Sequence, residues 1–284
     1  MLENKKTTPA ILQLTIDGIF KMYFEDPRNL PELRRFLKAY LELSDDDLST
    51  IQILNPGLLK DDFNDKGFTV DLLLTIKSGD SLHIEMQTND HTNFKERVQL
   101  CNARKAGQQV KVGETYSQVK RTISLVVTNF PVFSDNKKFH EKILMRREDG
   151  EIFTNVQELN LIDLTRVSFE EPNSTEKYLW AKLFQVTTLE ELEMVAKESE
   201  EMAEAAEKLL RISADERAQA YALSRDNAAF ARQLHEHGLR EESRDKRTIE
   251  IIENGLKNDI PIETITIMTG LSAEEIEKLR EDKG

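Results

Sequence analysis

Two carboxylates stand where apolar strands are expected. Residues 68–88 read FTVDLLLTIKSGDSLHIEMQT, two apolar runs around a glycine turn, with Asp71 and Glu85 inside the runs. A buried carboxylate is costly unless something neutralises it. Lys77, Ser78 and Gly79 suit a three-residue hairpin loop, Gly79 supplying the positive φ. Ile76 then faces Asp80, Asp71 faces Glu85 and Thr69 faces Gln87. Strand alternation puts Asp71, Glu85 and Gln87 on one face. Phe68, Val70, Leu72, Leu74, Leu82, Ile84 and Met86 take the other. Opposed β carbons lie about 4.5–5.5 Å apart, close enough for two bare carboxylates to repel. A hard divalent cation between them would remove the repulsion and use both sets of oxygens. The same pattern also fits a solvated face, with Thr69, Thr75 and His83 beside the acids. A register slip of one residue would separate the pair.

The elements that must position this hairpin are legible on both sides of it. In TIDGIFKMYFEDPRNLPELRRFLKAYLEL, Ile16, Ile19, Phe20, Tyr23 and Phe24 follow helical spacing until Pro27. Pro31 opens a second helix to about Leu43. A polar loop, a short strand within STIQIL and a turn at Asn55-Pro56-Gly57 follow. After the hairpin, TNFKERVQLCNARKAGQQVK reads as a helix with Phe94, Val98 and Cys101 on one side and Arg97, Arg104 and Lys105 nearby. RTISLVVTNFPVF is a buried strand and EIFTNVQELNLIDLTRV a further one, so the expectation is an α/β or α+β domain.

Beyond Glu170 the character changes. Gly and Pro are absent from Thr187 to His237, and Ala, Glu, Leu and Arg dominate. The division expected is a domain over 11–170, an acidic helical region over 171–250 and a small helical unit over 251–284. The last has helix starts at Pro261 and at Ser272 with Glu275, a capping box. An apolar stripe of Leu189, Leu192, Val195, Met202, Leu209 and Leu210 leads us to expect self-association into a homo-oligomer. Tyr178 and Trp180 read as packing residues where the regions meet. The histidines of His235-Glu236-His237 are two apart, unlike a helical zinc pair, so a helix end at Gly238 is the reading there.

The 284 residues are 39% hydrophobic and 32% charged, with a net charge of −13. The single cysteine, Cys101, excludes an internal disulfide and reads as a small core residue. No run approaches the roughly 18 apolar residues of a membrane helix. The start, MLENKKTTPA, has no apolar signal stretch, so a cytoplasmic protein is expected. Charge is uneven: residues 1–170 carry a net of −3, and 171–284 a net of −10. Residues 91–147 hold 12 basic and 4 acidic residues, a net of +8, directly after the hairpin. Such a patch suits weak, salt-sensitive phosphate binding. The acidic tail would compete for it, so truncation after about residue 170 is expected to tighten binding if the core still folds alone.

Asp71, thirteen residues, then Glu85-Met86-Gln87 resembles the PD-(D/E)XK nuclease signature. The ordered set TIDGIFKMYF, VDLLLTIKSGDSLHIEMQ, FKERVQL, VGETYSQVKRTISLVVTNF and FHEKILMRREDG is similar to the Rpn family of recombination-promoting nucleases, also described as PD-(D/E)XK transposases. The likeness covers 11–170, and GLKNDIPIETITIMTGLSAEEIEKL is similar to the C-terminal unit of many relatives. It implies a restriction-endonuclease-like core, a mixed sheet flanked by helices, with an all-α extension. It implies a metal-dependent DNA endonuclease in which Asp71, Glu85 and the carbonyl of Met86 hold Mg²⁺ or Mn²⁺. Asp17 matches an acid on the first helix, with completing the metal shell, orienting Lys21 or capping the helix as its open roles. Lys21, Lys95, Arg97, Arg104 and Lys105 are the DNA-binding candidates. Gln87 stands where the wider signature has lysine; its amide can orient a water but accepts no proton at neutral pH. Relatives tend to have tyrosine where Cys101 stands. The competing expectation is an inactive nuclease fold that binds or regulates through its helical tail.

Overall fold

The computed structural model describes residues 10–54, 71–88, 93–225 except 111, 114 and 135–137, and 247–276 except 253, 256, 259 and 275. Thr69, Phe68, Val70, the turn at 55–57 and the stretch 235–238 lie outside the described residues. In chain order the elements are α1 (Asp17–Phe24), α2 (Leu30–Tyr40), β1 (Ile51–Leu54), β2 (Leu72–Ile76) and β3 (Ser81–Gln87). There follow α3 (Phe94–Gly107), β4 (Thr122–Thr128), β5 (His140–Arg146), β6 (Ile152–Asp163), α4 (Glu176–Gln185), α5 (Leu189–Ala196) and α6 (Glu200–Ser213). Residues 216–225 are helical, and a last helix spans Ile262–Thr269.

Local chemistry explains the boundaries. Pro27 ends α1 in a 3-10 turn capped by Asp26, whose carboxylate accepts from the Arg28 amide. Asn29 closes the corner by donating to the Tyr23 carbonyl at 2.8 Å. Pro31 lies in the first turn of α2, where its missing N–H costs nothing. Helix α5 begins with a capping box, Thr188 and Glu191 satisfying each other's backbone groups.

The strands form one mixed sheet in the order β1-β2-β3-β4-β6-β5, with β3–β4 and β4–β6 parallel and the other pairs antiparallel. The β2–β3 register pairs Leu72 with Ile84 and Leu74 with Leu82, as the sequence implied. Gly79 has φ +87° and the Ile76 amide donates to the Asp80 carbonyl. One face of the sheet, with Leu72, Leu74, Leu82, Ile84 and Met86, joins α1, α2 and α4–α6 in the main core. The other face lies under α3, where Phe94 and Val98 pack on Val126, Leu159 and Leu161. This is the expected α/β architecture: a mixed sheet flanked by helices, with further helices C-terminal to it.

The division at residue 170 is not where the structure divides. Two compact units comprise residues 1–222 and 223–284. Trp180, Leu183 and Phe184 are fully buried in the same core as Phe20, Phe24 and Phe36. The Tyr23 hydroxyl donates to the Ala205 carbonyl at 3.0 Å, and the Leu12 amide to Ser213 Oγ at 2.9 Å. Buried Glu32 on α2 takes Lys208 of α6 and, at 3.6 Å, Arg35. The stripe of Leu192, Val195, Met202 and Leu209 is buried in this core, with Leu189 and Leu210 packed against it. It therefore leaves no apolar face as grounds for self-association. The second unit has its own small core of Ile252, Ile265 and Ile276, and its helix Ile262–Thr269 ends at Gly270 in the left-handed conformation.

Candidate active site

The hairpin β2–β3, the start of α1 and the first half of α3 converge on the two acids. Asp71 precedes the first paired residue of β2, so the register continues to Glu85 opposite it. Its carboxylate turns toward the strand backbone: Oδ2 accepts from the Met86 amide at 2.7 Å, and Oδ1 lies 3.6 Å from Lys21 Nζ on α1. Glu85 projects toward α3, where Arg97 Nη2 reaches its Oε1 at 2.9 Å. The same nitrogen donates to Gln87 Oε1. Each acid thus has its own cation, delivered from opposite sides of the sheet.

Burial raises both carboxyls above their ordinary range. For Asp71 the Met86 amide and Lys21 pull the other way while Asp17 adds to the rise. For Glu85 Arg97 pulls the other way while Asp71 adds to the rise. Glu85 feels the charge of Asp71, Asp71 that of Asp17, and the cations present do not cancel the cost of burying the two acids. A site still short of positive charge, built from hard oxygens, fits a divalent cation held by two carboxylates with water completing its shell. Among the described residues no group of three or more His, Cys, Asp or Glu forms a metal cage.

The second face is not solvated. His83 and Gln87 are buried beneath α3. Burial and the nearby Lys105 charge push His83 down to about 3; its Nε2 meets Ser81 Oγ at 2.8 Å, and its Nδ1 has no partner among the described residues. Lys105 does not extend into solvent from α3 as a surface cation would. Burial lowers it to about 8, against the pull of Cys101 and Glu85. Cys101 is buried and its thiol is raised to about 11, so it packs as expected of a core residue. Lys95 lies over the Phe133 ring at 4.6 Å. Arg104 sits half-buried in the last turn of α3. Of the DNA-binding candidates, Lys21, Arg97 and Lys105 therefore belong to the acid cluster, while Lys95 and Arg104 flank it on α3.

Asp17 Oδ1 accepts from the Gly18 amide at 3.0 Å and from the Tyr221 hydroxyl at 3.2 Å. Tyr221 was not legible as a site residue, being 204 positions away. Its one signal is Gly18, a glycine inside an amphipathic helix: a β carbon there would come 2.0 Å from the Tyr221 ring.

No curated protein and no solved structure matches the chain. Over residues 14–235, past the sheet and through α6, the sequence matches the family model described as PD-(D/E)XK nuclease family transposase. That span takes in the acids, the helices that carry their cations and Tyr221, and the chain belongs to the PD-(D/E)XK nuclease family transposases.

Proposed function

We propose that this chain is a metal-dependent DNA endonuclease that hydrolyses phosphodiester bonds, acting in the cytoplasm in recombination, mobile-element movement or defence. The observation that carries the proposal is the pairing of Asp71 and Glu85 at one sheet end, both raised by burial although each faces a cation. Asp71 and Glu85 would hold Mg²⁺ or Mn²⁺. The Met86 carbonyl is the third candidate ligand: in a strand the N–H and C=O of one residue point to the same side, and the Met86 N–H points at Asp71. Bound there, the cation supplies a Lewis acid that activates water and offsets charge on the phosphate. Asp17, oriented by Tyr221, stands behind Asp71 and Lys21. Gln87 orients through its amide without taking a proton. Lys95, Arg104 and Lys105 bring positive charge from α3 to the nucleic-acid backbone.

The test is plasmid cleavage against Mg²⁺ and Mn²⁺ concentration. Nicking that needs metal and falls by about a hundredfold or more in Asp71→Ala is expected for loss of a metal ligand. Metal-independent nicking, or equal activity in Asp71→Ala, rejects the proposal. Gln87 in place of lysine favours one other reading, a nuclease fold kept for binding alone. DNA binding without cleavage under any metal would select it.

A further inference from the structure

Gln87 does more here than replace a lysine. Its Oε1 accepts a hydrogen bond from the Arg97 nitrogen that also bonds Glu85. A lysine at 87 would repel the guanidinium, whereas the amide oxygen draws it in. The Arg97 side chain is 35% exposed and Glu85 12%, so Arg97 reaches solvent while the acid it pairs with is largely covered. Its Nε is buried and makes no hydrogen bond among the described residues, so this pose leaves one donor unmet. It occupies Glu85 Oε1, one of the two oxygens through which this carboxylate could bind a divalent cation.

We infer that Arg97 is a cation with two settings: without metal it neutralises Glu85 and is held by Gln87, and when a divalent cation takes Glu85 it turns outward to hold a phosphate of bound DNA. Arg97 thereby brings from α3 the charge that a lysine at position 87 would bring from the strand. It acts by charge and direction only, because a guanidinium does not lose its proton in a protein. Two cations on one carboxylate repel, and the outward setting satisfies the buried Nε with a phosphate oxygen or water. The inference deepens the metal-site reading and rests on it.

The test is calorimetric titration of Mn²⁺ into the full chain without DNA, for wild type, Asp71→Ala, Arg97→Gln and Arg97→Lys. Removing the competing cation should tighten Mn²⁺ binding in Arg97→Gln by about tenfold. Arg97→Lys, which keeps the charge, should stay near wild type. A second measurement follows DNA affinity against salt, with Ca²⁺ used to occupy the metal site. With Ca²⁺, the log–log salt slope of Arg97→Gln should be shallower than that of wild type by about 0.9, one phosphate contact. Without metal the two slopes should agree. Mn²⁺ binding that is lost in Asp71→Ala but equal or weaker in Arg97→Gln overturns the inference and leaves the metal site standing. A slope difference that does not depend on metal also overturns it. Mn²⁺ binding to none of the proteins overturns the metal site and this inference together.

Discussion

Gly18 lies inside α1, where a glycine weakens a helix by up to about 1 kcal/mol relative to alanine. The close approach of Tyr221 accounts for it, since an alanine methyl would overlap the phenol ring. Gly18→Ala must swing the ring aside and break its bond to Asp17. We expect a net loss of about 1–3 kcal/mol despite the better helix propensity, as for overpacking elsewhere. Thermal melts check this. The Gly18→Ala/Tyr221→Ala pair should be much less destabilised than the sum of the single changes, because the obstruction is gone. A melting temperature raised by Gly18→Ala alone would mean that the ring is not fixed there. The same contact makes Asp17 a residue oriented from the C-terminal side of the chain.

Among the elements, β5 is an edge strand whose first residue, His140, ties it to two neighbours. Its Nε2 meets Asn160 Oδ1 on β6 at 3.2 Å, and its Nδ1 lies 3.4 Å from Lys177 Nζ on α4. The ring stands edge-on to Tyr40 of α2. Burial and then the Lys177 charge lower the His140 pKa, with Asn160, Glu141 and Glu158 opposing. A lowered pKa means that the folded chain refuses a proton the unfolded chain accepts. The stability His140 contributes is complete above the ordinary histidine range and is lost as pH falls through that range. Denaturant melts at pH 7 and pH 5 should therefore show a smaller acid loss for His140→Gln than for wild type. An equal loss in both would show that His140 takes up its proton without leaving its place. Helix α3 shows the same dependence on packing. Its spacing marks Phe94, Val98 and Cys101 as the buried side, and that placement carries Arg97 and Lys105 over the acids.

At the scale of the whole molecule, the acidic C-terminal helices are structural partners of the sheet. Removing everything after residue 170 deletes Trp180, Leu183, Phe184, Leu192 and Leu209 from the main core. Losing one buried Phe or Trp side chain costs about 3–5 kcal/mol, and a domain has about 5–15 kcal/mol in total. A chain of residues 1–170 should therefore show no cooperative unfolding by circular dichroism, while one ending after residue 225 should keep it. A cooperative melt of the shorter chain would return the boundary to residue 170. Tighter DNA binding by such a truncation is expected only of a core that folds alone, and α4–α6 supply part of the core that folding needs. No helix among the described residues is long and apolar enough to cross a membrane.

The sequence by itself determined what is local. Alternation and the glycine turn placed Leu72 opposite Ile84, and the prolines marked the joint between α1 and α2. The acids inside apolar runs, in their order with Gln87, pointed to the family that the chain proved to belong to. Periodicity reports which side of an element is apolar; it does not report what covers that side. Hence the stripe on α5 and α6 read equally well as a surface for another copy, and the face bearing Glu85 and Gln87 as open to solvent. Only the tertiary structure set α3 over that face and gave Glu85 and Gln87 the same guanidinium. Only it brought Tyr221 to Asp17 and buried the tail's leucines in the sheet's own core. Those outcomes depend on which apolar surfaces meet, and the charges on their rims go where that packing carries them.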